Sequence, residues 1–317
     1  MMNKQNKPVL GVSSCLMGSS VRFDGGHKHY RLLTDQWASF FDFKPTCPEA
    51  DIGLGIPRPV IQLRETNNEI KLVFSRHPSQ DLTQRMIDYS VRRIQEIGVL
   101  DGYIFKKDSP TCGVERVAVA HESTGQKTRD GMGLFAKKFQ EMNPLVPIEE
   151  EGRLNDPVIR DNFLERIYCH YRWRNIPDCE NNYHGFIDFH KRHKFMLMAR
   201  NHQSYRDLGR LAASANRTNL NSVRQEYIQR FMDVMTLRPS RGQHVNVLLH
   251  ILGYFKRNLN GNDKSELINW FDAYHNSKVS RITPVAFIRH YLRIYPDNYI
   301  AQQHYLAPYP DDLFHTV

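Results

Sequence analysis

The sequence predicts an α/β domain with a largely parallel, Rossmann-like sheet, followed by an all-α domain. Three observations predict this. The first half alternates short apolar runs with amphipathic helical windows, the pattern of strands covered by helices. In the second half β-branched runs are nearly absent, and amphipathic windows succeed one another between Pro and Gly breaks. The chain has 317 residues, 40% hydrophobic and 24% charged, which is ordinary for a globular protein but long for a single core.

VLGVSS, residues 9–14, is a short apolar run ending at Cys15. Residues 34–41 read as a short helix with Thr34 as cap. Residues 70–74 (IKLVF) are a strand. Residues 79–98 form the clearest helix, with Leu82, Met86, Ile87, Ile94 and Ile97 at near-helical spacing and Gly98 placed to stop it. Strands follow at 102–107 and 116–120. A helix over 133–142 stops before Asn143-Pro144.

The second half reads as helical windows over 157–174, 183–201, 205–215, 222–237, 243–258, 264–276 and 284–295. The charged, Gly- and Pro-containing stretch 149–157 separates the halves, giving domains 1–150 and 157–317. No window approaches 18 consecutive apolar residues, so no membrane partner is expected. The first residues, MMNKQNKPVLGVSSC, lack a long apolar stretch, and a cytoplasmic address is the expectation.

Charge is unevenly divided. Residues 1–156 hold 21 Lys+Arg against 20 Asp+Glu, whereas 157–317 hold 22 against 14, and 17 of those 22 cations are arginine. An Arg-rich excess in one region suggests an anionic partner, and the guanidinium fork matches phosphate.

Five cysteines are too few for a disulfide scaffold in a chain this long. Three share a context. Cys15 follows the 9–14 run. Cys47 follows Asp42-Phe43-Lys44, read as a short strand, and lies in PTCPE. Cys112 follows the 102–107 strand by a short turn, in DSPTCG. Ligands of open parallel sheets bind beyond the carboxyl ends of the strands, so these three can meet. Converging thiolates can bind zinc, ligate an iron–sulfur cluster, or combine a nucleophile with a resolving pair. They can also be small buried residues. The paired C-x-x-C spacing usual for zinc is absent.

The stretches SSCLMGSSVRFDGGHKHY, CPEADIGLGIPRPVIQL, DSPTCG and GMGLFAKKF, in this order, resemble the signature of the thiouracil desulfidase family across most of residues 8–148. The remainder resembles an uncharacterised helical domain found alone or fused to the first. The fused arrangement resembles a bacterial desulfidase that removes sulfur from 4-thiouridine in tRNA. The resemblance implies a 4Fe–4S cluster ligated at Cys15, Cys47 and Cys112, with the fourth iron free of protein. It also implies active-site roles for Glu49 and Ser109. Hydrolytic removal of a soft thiocarbonyl sulfur, without redox change, is the chemistry expected.

Other residues keep two readings. Arg22, Asp24, His27 and His29 can contact a base or phosphate, or be exposed loop polarity. Arg58, between two prolines, is similar. Gly53, Gly55, Gly131 and Gly133 permit close backbone approach. Cys169 and Cys179 read as structural thiols. Residues 190–213 place Lys191, Arg192, His193, Lys194, Arg200, His202, Arg206 and Arg210 around an apolar stripe, and Arg172-Trp173-Arg174 adds a second cluster. Of these, Arg192, Lys194, Arg200, Arg206 and Arg210 are the expected RNA contacts, tRNA being the expected partner. The expected function is 4-thiouridine desulfidation in tRNA. The alternatives are desulfidation of free thiouracil and a non-catalytic, metal- or cluster-stabilised RNA-binding role.

Overall fold

The computed structural model describes residues 7–177 and 182–314. The chain divides into two compact units, Met1–Phe163 and Leu164–Val317. The first is α/β and the second all-helical.

Four strands make a wholly parallel sheet. β1 (Val9–Ser13) lies between β2 (Asp42–Thr46) and β5 (Gly102–Phe105), and β8 (Ile148–Glu150) lies beyond β5. Gly11 pairs with Lys44 on one side and Tyr103 on the other. A Cβ at Gly11 would stand 2.2 Å from the Tyr103 ring, so only glycine lets that ring lie across β1. Buried Asp101 ties β1 to the start of β5: its amide donates to Val9 O at 2.7 Å and its carboxylate accepts from Val9 N at 2.9 Å.

A second, mixed sheet has the order β4 (Glu69–Phe74), β3 (Ile61–Thr66), β6 (Val117–His121), β7 (Lys127–Gly131). Its central pair is parallel and its two outer pairs are antiparallel. The alternation of the first half predicts one sheet, and the chain forms two. β7, KTRDG, lacks apolar alternation, so its pattern carries no strand signal.

The core of this unit gathers Met86, Tyr89, Ile94 and Ile97 of α2 (Thr83–Ile97) with Phe135, Ala136 and Phe139 of α3 (Leu134–Met142), and with Leu63, Leu72, Tyr103 and Phe105. The Tyr103 and Phe105 rings stack at 3.9 Å. A four-residue helix, α1 (Pro48–Asp51), follows β2. The short helix expected at 34–41 is a π-helical turn over Leu32–Trp37, with Leu33 and Trp37 buried.

Helices α4 (Pro157–Arg174), α5 (Tyr183–Arg200), α6 (His202–Ala213), α7 (Leu220–Thr236), α8 (Arg241–Leu252), α9 (Gly261–His275) and α10 (Ile282–Ile294) correspond to the seven expected windows, six of them to within three residues; the 243–258 window overshoots, because α8 stops at Leu252 before a 3-10 turn over Gly253–Phe255. Two short helices, α11 (Asn298–Ala301) and α12 (Asp311–Phe314), follow. Asn182, Asn201, Asn260 and Asp297 cap helices with side-chain oxygens, and Ser240 with Gln243 forms a capping box on α8. None of the described helices is long and apolar enough to cross a membrane.

A buried ion network crosses the helical unit. Glu165 of α4 accepts from Arg200 of α5, and from Arg281 at 2.9 Å. Burial alone would raise the Glu165 pKa, but Arg200 and Arg281 outweigh it and hold the carboxyl at about 2. Removing one member strands a buried charge, so Arg200→Ala should cost on the order of 3–5 kcal/mol in denaturant unfolding. Because the folded pKa is depressed, the network's contribution is full above about pH 4.5 and is lost as pH falls toward 2. An Arg200→Ala protein as stable as the parent at neutral pH would contradict this account.

Candidate active site

The parallel sheet sets the site. Along the order β2-β1-β5 the chain turns from one side of β1 to the other, and ligands of such sheets bind beyond the carboxyl ends at that reversal. Cys15 lies in the 3-10 turn Ser14–Met17 that follows β1, Cys47 directly follows β2, and Cys112 lies in the loop after β5. All three line one cavity of about 430 Å³, together with Glu49, Arg58, Ser109 and Thr111.

The DSPTCG loop is held against α3. Leu134 N donates to Pro110 O, and the Phe135 and Ala136 amides donate to Thr111 O, so the loop satisfies the open N–H groups of that helix. A Cβ at Gly133 would come within 2.4 Å of the Thr111 carbonyl carbon, which is why glycine precedes the helix. This accounts for one G-x-G pair by packing, not by phosphate binding.

Glu49, at the start of α1, receives donors on both oxygens. Arg58 holds Oε2 through Nε at 3.1 Å and Nη2 at 2.5 Å. Ser109 Oγ and Thr111 Oγ1 approach Oε1 at 3.1 and 2.9 Å. Ser109 Oγ also accepts from the amides of Thr111 and Cys112, at 3.2 and 3.1 Å. Arg58 is buried and extends Nη1 to Val21 O at 2.8 Å, the same carbonyl that Cys47 Sγ approaches at 3.7 Å. The carboxylate is therefore fixed by a cation on one oxygen, with a hydroxyl pair on the other that can pass a proton.

Burial pushes the Cys15 thiol up to about 11, reinforced by Cys47. It also raises Cys47, and raises Cys112 further still, with Glu49 adding to the effect. These are neutral thiols at pH 7, poor nucleophiles as they stand. They suit soft-metal ligation, which takes up the thiolate and releases the proton. Arg22, Lys28, Arg58 and Lys106 also line the cavity and offset the charge that three thiolates would bring. The thiols approach from separate loops and do not gather at one point: among the described residues, no three His, Cys, Asp or Glu side chains are grouped to hold a single metal ion. The donor set fits an iron–sulfur cluster held through three protein ligands.

The structure brings together all five residues expected at the site. Arg58 and Thr111 line the same cavity and hydrogen-bond to Glu49. The sequence signals were an arginine pinned between two prolines and a hydroxyl residue next to Cys112, and neither alone distinguishes a site residue from loop polarity. Asp24, His27 and His29 do not line the cavity. Asp24 pairs with Arg22 at 3.4 Å, and His29 Nε2 lies 2.9 Å from Thr34 Oγ1. Cys169 is fully buried in α4, its thiol pushed up to about 12 by burial, and Cys179 lies outside the described residues.

The expected RNA contacts separate into two groups. Arg200 is corrected: it is 4% exposed and ion-paired with Glu165, so its guanidinium faces the core. His193 is likewise buried, against Phe189 O at 2.7 Å. Trp173 stacks on Tyr227 at 5.8 Å, and Arg172 donates to Pro308 O, so that cluster serves packing too. Arg192 pairs with Asp188 at 2.6 Å and Arg210 with Asp207 at 3.5 Å, while Arg206 is exposed. Lys194 sits among aromatic rings, 5.8 Å from the Tyr205 centroid and 5.7 Å from that of Tyr299, with Lys191 5.6 Å from Tyr299. Tyr254 lies 5.7 Å from Tyr299 and His250 6.0 Å from Tyr254. α5, α6, α8 and α11, with the turn after α8, thus assemble a partly exposed lysine–aromatic platform.

An α/β unit with three thiols, a clamped carboxylate and a hydroxyl pair at its switch edge defines a site for thiolate ligation and acid–base chemistry. Residues 10–151 match the family model of 2-thiouracil desulfurase, and residues 194–310 match that of a protein of unknown function, DUF1722. The two matched stretches follow one another along the chain without overlap. It is 26% identical over 151 residues to the uncharacterized protein YbgA of Escherichia coli (strain K12), covering 47% of this chain and 89% of that one. A solved structure, the 4Fe-4S-dependent thiouracil desulfidase TudS, is 22% identical with a TM-score of 0.36, over 48% of this chain and 95% of that one.

The raised Cys15 pKa gives a pH prediction. In metal-free protein, alkylation of Cys15 followed by mass spectrometry should still accelerate above pH 9 and reach half its limiting rate only near pH 11. An ordinary thiol, with a pKa near 8.5, levels off earlier. A plateau below pH 9 would contradict the burial described.

Proposed function

We propose that this protein is a 4Fe–4S-dependent desulfidase that converts 4-thiouridine in tRNA to uridine. The observation that carries the reading is the convergence of Cys15, Cys47 and Cys112 with the Glu49–Ser109–Thr111 group on one cavity, inside the stretch that matches 2-thiouracil desulfurases. When bound through three cysteines, a cluster would supply an open iron as a Lewis acid for a soft thiocarbonyl sulfur.

The chain's own residues do the rest. The three cysteines bind, losing their protons as they do so. Arg58 orients Glu49 through Oε2, leaving Oε1 to take a proton from water, directly or through Ser109 or Thr111. The water oxygen bonds to the ring carbon, the carbon–sulfur bond breaks, and the two water protons leave with sulfur as hydrogen sulfide. Carbonyl replaces thiocarbonyl with no change of oxidation state.

The tRNA part of the reading is supported by the cationic excess of residues 157–317 and by the platform around Lys194. Lysines interleaved with aromatic rings suit phosphates and unstacked bases together. The rival substrate is free thiouracil. It is favoured by one observation: a cavity of about 430 Å³ is the size of a small-molecule site. The hydrogen-bonded group around Glu49 speaks for an enzyme over a purely RNA-binding role.

Thiolated tRNA incubated anaerobically with reconstituted protein should lose 4-thiouridine and gain uridine when its nucleosides are read by mass spectrometry. Glu49→Gln should slow this about 100- to 10,000-fold with the cluster retained; full activity would remove Glu49 from the reaction. Lys194→Glu combined with Tyr254→Ala should lower tRNA turnover far more than turnover of free 4-thiouracil, and should flatten its salt dependence. Equal losses on both substrates would favour the free base.

A further inference from the structure

Two large apolar side chains at the cysteine cavity are left open by the fold. Phe23 lines the cavity yet is 41% exposed, and Val60, also lining it, is 51% exposed. Exposed apolar surface lining a thiol-bearing cavity is surface a ligand can cover.

Phe23 is held firmly. Arg58 N donates to Phe23 O at 3.0 Å, and Arg58 Nη1 donates to Val21 O at 2.8 Å, so the residue that clamps Glu49 also fixes the chain on both sides of Arg22. Within the loop, Gly25 N donates to Arg22 O at 3.0 Å and Arg22 N to Gly26 O at 3.2 Å, closing a tight turn. The Arg22 guanidinium lies 5.3 Å from the Phe23 ring centroid. An aromatic ring with a cation against it, on a braced loop, is a preorganised stacking surface for a flat heteroaromatic ring.

We propose that Phe23, backed by Arg22, is the stacking wall for the pyrimidine ring, so that the site selects planar heteroaromatic thiocarbonyls over open-chain ones. This rests on the desulfidase reading above for the identity of the ligand. The wall itself is a property of the loop. Val60 supplies a second apolar surface, while Ser109, Thr111 and Glu49 supply the polar end of the same cavity. A base entering from RNA leaves its own stack, and Phe23 replaces the stacking lost.

The test uses the full chain, reconstituted anaerobically, as parent, Phe23→Ala, Phe23→Leu and Phe23→Tyr. Iron content and thermal unfolding verify that each variant is intact. Two readouts are taken: calorimetric affinity for uracil, which needs no turnover, and KM and kcat for 4-thiouracil and for thiourea. Base–aromatic stacking is worth on the order of 5- to 150-fold in affinity. Phe23→Ala should therefore weaken uracil binding and raise KM for 4-thiouracil by that order, with the smaller effect on kcat. Phe23→Tyr should recover most of the loss and Phe23→Leu should not. Preference for 4-thiouracil over thiourea should shrink in Phe23→Ala. Parental uracil affinity in Phe23→Ala, or recovery by Phe23→Leu as complete as by Phe23→Tyr, would overturn the wall. A parent that binds uracil through Phe23 but removes no sulfur would leave the wall standing and sink the desulfidase reading. A parent that neither binds uracil nor removes sulfur from 4-thiouracil or from thiolated tRNA would sink both.

Discussion

β1 is hydrogen-bonded in parallel to β2 on one flank and to β5 on the other, and the site depends on that arrangement. Parallel pairing places the carboxyl ends of all three strands at one edge. Each strand leads, directly or through a short loop, to a cysteine. Residues distant in sequence therefore meet without a dedicated binding loop. Supports that pin β1 in place, among them Gly11 under the Tyr103 ring and the paired bonds between Asp101 and Val9, are in this sense supports of the site. A shift of one residue along β1 would turn Cys15 away and face the alternate side chains into the core.

Arg58 organises what the sheet gathers. It is buried, and it joins three parts of the cavity: the carboxylate of Glu49, the carbonyl of Val21 beside Cys47, and the backbone of Phe23. A buried cation is costly unless its donors are satisfied, and here protein oxygens meet them. Burial has the opposite consequence for the thiols, which stay neutral until a metal takes up the thiolate. One cavity thus keeps a fixed ion pair beside unspent ligands, with Val21 O shared between Arg58 and Cys47.

The sequence made much of this legible, for physical reasons that differ by element. Helix α2 and the seven long helices of the second unit declare themselves by spacing, whereas the caps Asn201 and Ser240 start α6 and α8 at His202 and Arg241, ahead of the windows 205–215 and 243–258 that the spacing indicates. The three cysteines stood out because each follows a strand signal. β3 and β7 did not stand out. β7 is polar throughout, and a strand partnered only by a neighbouring hairpin arm needs no apolar face. Arg58 was ambiguous because its partner, Glu49, becomes a neighbour only after α1 and the following loop fold. Arg200 was misjudged for the same kind of reason. Spacing places cations on a helix, but only packing decides which one finds a buried carboxylate, here Glu165. Lys194 was recognised as a cation, whereas the rings around it come from helices far apart in sequence, and no local pattern predicts that platform.

The two units differ chemically. The α/β unit presents three thiols and a hydrogen-bonded carboxylate, and the helical unit presents cations and rings. The claim on which the rest stands is that Cys15, Cys47 and Cys112 together ligate one cluster. Anaerobic reconstitution with iron and sulfide, read by iron content and visible absorbance, tests it most directly. The account predicts about four irons per chain in the parent protein and in Cys169→Ala, and loss of the chromophore in Cys15→Ala, Cys47→Ala and Cys112→Ala alike. A chromophore that survives any one of those three substitutions, or that depends on Cys169, would contradict it.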